Sequence, residues 1–152
     1  MSAPPPLNTT GQAPSPCREL HLTLAGRLDE IARLGREVEA FGQRAGLDLA
    51  VVDAVNIALD ELVTNVICHG DASATGGIQV VLAVAGHRLT VEVTDDGRPF
   101  DPLSRPAPDT TLDIDSRPVG GLGIHFVRTL MDEISYRREG GCNRVRLAKT
   151  LA

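Results

Sequence analysis

Hydrophobic periodicity along the chain switches between two and about 3.6 residues, and each switch marks an element boundary. Glu19-Leu20-His21-Leu22-Thr23-Leu24 alternates polar and apolar residues and predicts a short strand, halted by Gly26. From Arg27 the period lengthens. Leu28, Ile31, Leu34, Val38, Phe41 and Ala45 predict an amphipathic helix ending at Gly46. Asp48 then caps a second helix that runs to about His69. On its wheel Val51, Val52, Val55, Leu59, Leu62, Val63 and Val66 fill one arc, while Asp53, Asn56, Asp60 and Thr64 fill another. Ile78 to Ala85 and Leu89 to Thr94 predict two strands joined at Gly86-His87, where glycine supplies the positive φ of a hairpin turn. Thr90, Glu92 and Thr94 alternate with Leu89, Val91 and Val93, so this sheet has one wet and one packed face. Ile124, Val127, Leu130 and Met131 predict a third helix, opened by Gly120-Gly121-Leu122-Gly123. Ile134 to Arg138 and Arg144 to Leu147, around Gly140-Gly141, end the chain as a second hairpin.

Two stretches carry no period. Residues 1–18, with Pro4-Pro5-Pro6, Pro14 and Pro16 among Ser, Thr, Asn and Gln, read as a disordered tail before one domain at 19–152. The tail has no basic start and no apolar run, so it is neither a secretion signal nor a membrane span. Residues 103–119 are rich in proline and acids. A structureless segment of that length within a compact domain reads as a flexible lid or a disordered loop.

Composition narrows the classes. A chain of 152 residues, 42% hydrophobic and 23% charged, fits one soluble domain. Its net charge of −5 argues against broad binding to a nucleic-acid backbone, and 3% aromatic content leaves no platform for stacking bases. Cys17, Cys68 and Cys142 are odd in number and unpaired in spacing. They indicate neither a disulfide framework nor a zinc site, and fit the reducing cytoplasm.

Candidate chemistry starts on the second helix. Glu61 and Asn65 belong to neither arc and stand one turn apart, pointing the same way beside Ala54 and Ala58. A buried carboxylate and amide need partners for their hydrogen bonds. Either neighbouring backbone and water supply them, or a ligand does. The Asn65 oxygen suits a hard cation such as Mg²⁺. Asp95-Asp96-Gly97-Arg98-Pro99-Phe100-Asp101-Pro102, at the end of a strand, is by its chemistry a turn. Gly120-Gly121-Leu122-Gly123 is a strand-to-helix bend or an anion site, since bare N–H groups at a helix start attract negative charge.

Taken together in this order, the three segments resemble the ATP-binding domain of the GHKL superfamily, which includes DNA gyrase, histidine kinases and MutL. The chain looks most like the small bacterial anti-sigma factor serine kinases. The resemblance spans about Leu20 to Lys149 and is carried by Ala58 to Asn65 with His69, Val93 to Pro102, and Gly120 to Ile124 with Met131-Asp132. It implies the Bergerat fold: an α+β two-layer sandwich whose antiparallel-rich mixed sheet is covered on one face by three helices. It implies ATP or ADP as ligand, with Mg²⁺ held at Asn65, the adenine amino group read by Asp95, and Gly97 letting the backbone approach the base. Gly120, Gly121, Leu122 and Gly123 would line the phosphates under the lid, and Glu61 would be the general base. The implied partners are a sigma factor and a STAS-type anti-anti-sigma protein bearing the acceptor Ser or Thr. The chain itself is implied to be a cytoplasmic homodimer that touches neither nucleic acid nor membrane.

Some positions depart from the family pattern. Pro99 stands where many members have a second glycine, which stiffens the backbone beside the base. The lid lacks lysine, leaving Arg105 and Arg117 as its candidates to meet a γ-phosphate, and His69 is expected to serve local hydrogen bonding. P-loop and eukaryotic-type kinase motifs are missing from the sequence. Two functions remain open: an ATP-dependent protein serine/threonine kinase, and a nucleotide-gated binding module that transfers no phosphate.

Overall fold

The computed structural model describes residues 18–69, 77–104 and 121–152. Strand β1 (Arg18–Leu24) leads into helices α1 (Glu30–Ala45) and α2 (Leu49–His69), followed by β2 (Ile78–Ala85) and β3 (Arg88–Asp95). A 3-10 turn (Pro102–Ser104), α3 (Gly121–Leu130), β4 (Glu133–Glu139) and β5 (Cys142–Thr150) complete the chain. The strands form one sheet in the order β1-β2-β3-β5-β4. All neighbours in it are antiparallel, so the expected α+β sandwich is present and the antiparallel-rich sheet has no parallel pair among the described residues. Of the tail assigned to 1–18 only Arg18 is described, as the first residue of β1, and of the lid at 103–119 only Leu103 and Ser104.

Register explains why one face of the sheet is dry. Leu20, Leu82, Val91, Leu147 and Ile134 stand side by side across all five strands, and Leu22, Val80, Val93, Val145 and Tyr136 form the next row. The opposite face carries His21, Glu92, Arg146 and Ser135, matching the alternation read from the sequence. The following row on the dry face is Leu24, Ile78, Asp95, Asn143 and Arg138. It starts apolar and turns polar at β3.

The helices seal this dry face. Helix α2 packs against both α1 and α3. Its apolar arc is buried from Val52 to Val66, and Ala54 and Ala58 are buried as well, while Asp53 and Asp60 stay exposed. Leu34, Val38 and Phe41 of α1 and Ile124 and Val127 of α3 join the same core, each worth about 1.5–3 kcal/mol as a fully buried side chain. The hairpin turn between β2 and β3 has Gly86 at φ 59°, as its position requires.

Helix α1 is tied to β1 by one carboxylate. Glu30 Oε2 accepts the Ala25 N–H at 2.9 Å and Arg33 Nη2 at 2.9 Å, and the same Arg33 nitrogen donates to the Thr23 carbonyl at 2.8 Å. The Arg33 hydrogen bond, then the Ala25 N–H, bring the Glu30 carboxyl down from an ordinary 4.5 to about 2. A group whose pKa falls on folding stabilises the fold fully above its unfolded value, and that contribution is lost as pH drops through the folded value. Glu30→Gln should therefore lose less melting temperature than the parent when pH is lowered from 4.5 to about 2. Thermal melts across that window check this, and superimposable acid profiles would contradict it.

Candidate functional site

The row that turns polar builds the site. Asn65 and Asp95 are each 4% exposed and Asn143 3%, and all three line one narrow cleft with Leu62, Val66, Val93, Phe100, Pro102 and Val145. The cleft encloses about 340 Å³ of empty space, its open mouth included. Burial of this kind requires that each polar group be answered.

Asp95 is answered on one side only. Its Oδ1 accepts the Gly97 N–H at 2.9 Å and the Asn143 side-chain amide at 3.1 Å. No donor reaches Oδ2 among the described residues. The first of these bonds is an Asx turn, so the Asp95-x-Gly97 motif is indeed a turn, and it also leaves one carboxylate oxygen for the cleft.

Asn143, directly opposite Asp95 on β5, was not singled out in the sequence. Its Nδ2 donates to Asp95 Oδ1 and to the Arg98 carbonyl at 2.8 Å; its Oδ1 accepts the Phe100 N–H at 3.2 Å and the Tyr136 hydroxyl at 2.6 Å. Arg138 Nη1 donates to the Gly97 carbonyl at 2.7 Å, and Arg98 Nε to the His69 carbonyl at 2.6 Å. The segment from Gly97 to Phe100 is thereby pinned to β4, β5 and the end of α2. The His69 ring, expected to hydrogen bond, stacks on Phe100 instead, with centroids 5.7 Å apart. The overlooked signal was strand parity: Asn143 shares the face of Val145 and Leu147, and Asp95 that of Val91 and Val93.

On α2, Asn65 Nδ2 donates to Glu61 Oε1 at 3.2 Å, as their i, i+4 spacing predicts. The Asn65 side-chain oxygen, Oδ1, accepts no hydrogen bond among the described residues, and the residue lines the cleft. The Glu61 side chain is half-buried and packs on the first turn of α3, where a Cβ added at Gly123 would land on its carboxylate. Only a glycine permits that approach. Gly120 and Arg105 lie outside the described residues, and Gly121 and Leu122 are described by backbone alone, as the opening of α3. The N-terminus of α3 therefore abuts the Glu61 carboxylate, an arrangement in which its dipole favours negative charge.

Among the described residues no three His, Cys, Asp or Glu side chains converge on a point that could hold a metal ion. A Mg²⁺ brought in with most of its own oxygen ligands fits what is present, since one neutral amide oxygen suffices for it. No helix among the described residues is long and apolar enough to cross a membrane.

Known proteins share this fold and much of this sequence span. A family described as the histidine kinase-like ATPase domain matches residues 24–149. The serine-protein kinase RsbW of Bacillus cereus is 25% identical over 127 residues, spanning 81% of this chain and 79% of its own, and the Bacillus anthracis protein of that name matches equally. Among solved structures, the RsbU and RsbW domains of a Mycobacterium tuberculosis protein superpose with a TM-score of 0.66 at 22% identity. That match takes in 92% of this chain and 34% of the other, so the present chain spans about a third of it. A blue-light activated histidine kinase of Erythrobacter litoralis superposes at 0.52 with 23% identity, over 80% of this chain and 60% of its own. At these identities the structural matches speak for the fold.

Proposed function

The chain belongs to the histidine kinase-like ATPase domain family, and from that premise we propose that it is an anti-sigma factor that phosphorylates its own antagonist. In this reading it binds a sigma factor, and a STAS-type anti-anti-sigma protein receives phosphate on Ser or Thr. The chain acts as a cytoplasmic homodimer whose ATP-binding domain is residues 19–152. The observation that carries the reading is the buried Asp95 carboxylate, held by one oxygen and open to the cleft with the other. RsbW relatives named as serine-protein kinases support the choice of reaction.

Each residue then has a task. Asp95 Oδ2 accepts the adenine amino group; guanine would place an oxygen there and leave two acceptors facing, so ATP is preferred to GTP. Gly97 keeps the backbone close to the base. The Asn65 side-chain amide oxygen would hold Mg²⁺, which would neutralise charge on the phosphates. N–H groups of Gly121, Leu122 and Gly123 at the start of α3 would meet the phosphates, and Gly120 and Arg105, outside the described residues, would join them there. ATP supplies the phosphoryl group: the acceptor oxygen bonds to the γ-phosphorus as the bond to the bridging oxygen breaks. Glu61 takes the acceptor's proton.

One observation favours the nucleotide-gated binder. Glu61 is already engaged by Asn65 and packed against Gly123, so its carboxylate is held before any acceptor arrives. A purely structural carboxylate would be placed in the same way.

The first of two measurements tests the metal site, and the second separates these readings. Asn65→Ala should weaken Mg·ATP far more than Mg-free ADP in calorimetry, and equal losses would reveal a packing defect in α2 instead. Glu61→Gln and Glu61→Ala should keep ATP and the sigma partner bound while phosphorylation of the antagonist falls at least about a hundredfold. Parent-like rates in both variants would remove Glu61 from the chemistry. A parent that binds its partner in an ATP-dependent way but transfers no phosphate would establish the binder.

A further inference from the structure

We infer that Asn143 positions Asp95 for nucleotide recognition, its clamped amide fixing one carboxylate oxygen so that the other faces the ligand. The inference rests on the adenine site proposed above and adds a residue to it.

The amide orientation is dictated by groups that cannot change role. The Phe100 N–H can only donate, so it requires the Asn143 oxygen, at 3.2 Å. The Arg98 carbonyl can only accept, so it requires the Asn143 nitrogen, at 2.8 Å. With both ends fixed by backbone, the second Nδ2 hydrogen is left for Asp95 Oδ1 at 3.1 Å. The Tyr136 hydroxyl at 2.6 Å fills the remaining lone pair, so the amide uses both its donors and both its acceptors.

The consequence falls on Asp95. A carboxylate at a strand end can rotate about its side-chain bonds, and a single bond from Gly97 would leave it that freedom. A second donor on the same oxygen, from the residue directly opposite across the ladder, removes it. Both residues are buried and line the cleft together. Asn143 is therefore a positioning residue. It acts on the ligand through Asp95.

A residue that merely held the turn would need Nδ2 for the Arg98 carbonyl alone, so its loss would follow the stability of the turn and not the charge set against Asp95. Asn143→Asp keeps the shape and replaces that donor with an acceptor, setting two carboxylates against each other. On acidification one of them takes a proton and restores one donor between the two oxygens, although a carboxyl has no second hydrogen for the Arg98 carbonyl. At pH of about 8 Asn143→Asp should bind ATP about tenfold or more weakly than the parent, and at pH of about 5.5 the gap should narrow by at least about threefold. Asn143→Ala, which has no donor at either pH, should show a similar loss without recovery. Calorimetry with ATP at both pH values reads these ratios, with circular dichroism verifying that each variant is folded. ATP affinity within threefold of the parent for both variants at the higher pH would overturn the inference alone. So would an Asn143→Asp deficit that does not shrink on acidification. A parent that fails to bind ATP would overturn the adenine-site reading together with this inference.

Discussion

A sheet face that is apolar in two rows and polar in the third has to find partners for the polar groups it buries. The row Leu24-Ile78-Asp95-Asn143-Arg138 meets the constraint by pairing Asp95 with Asn143 and turning Arg138 onto the Gly97 carbonyl. Each unmade bond there would cost roughly 1–3 kcal/mol, enough to matter against the marginal stability of a small domain. The turn after β3 follows from this. Gly97, Arg98 and Phe100 each give a backbone group to the network, so the chain leaves the sheet in one defined path. The cleft is what remains between that path and α2.

The second half of the site is built by helix packing. Glu61 and Asn65 lie on the flank of α2 nearest α3, and Gly123 lets the two helices approach until carboxylate and backbone touch. One wall of the cleft thus presents a carboxylate oxygen suited to an amino group, and the other an amide oxygen suited to a cation. The two walls come from elements far apart in sequence, brought together by a core of Leu59, Leu62, Val63, Ile124 and Val127.

Periodicity locates every described strand and α-helix, because alternation and the 3.6-residue repeat both reflect a single buried face, and it misses the short 3-10 turn at Pro102–Ser104. Glu61 and Asn65 are legible as polar residues interrupting an apolar pattern, whereas Asp95 reads as part of a turn and is singled out only by the family resemblance. Asn143 is not legible, because a sequence shows which face a residue occupies and not which residue lies opposite. The register that sets it against Asp95 joins positions 48 apart in the chain. Tyr136 and Arg138 escaped notice likewise, as ordinary residues of a terminal hairpin. The His69 ring was expected to bond locally, and the stacking on Phe100 depends on a turn whose path only the network defines.

Isothermal calorimetry on the parent and on Asp95→Asn, with ATP and with GTP, decides whether the open oxygen of Asp95 reads adenine. The parent should bind ATP in clear preference to GTP. Asp95→Asn should lose ATP affinity by about a hundredfold, as when a charged acceptor is removed from a buried hydrogen bond. An Asp95→Asn protein that binds ATP as tightly as the parent would contradict that role for Asp95.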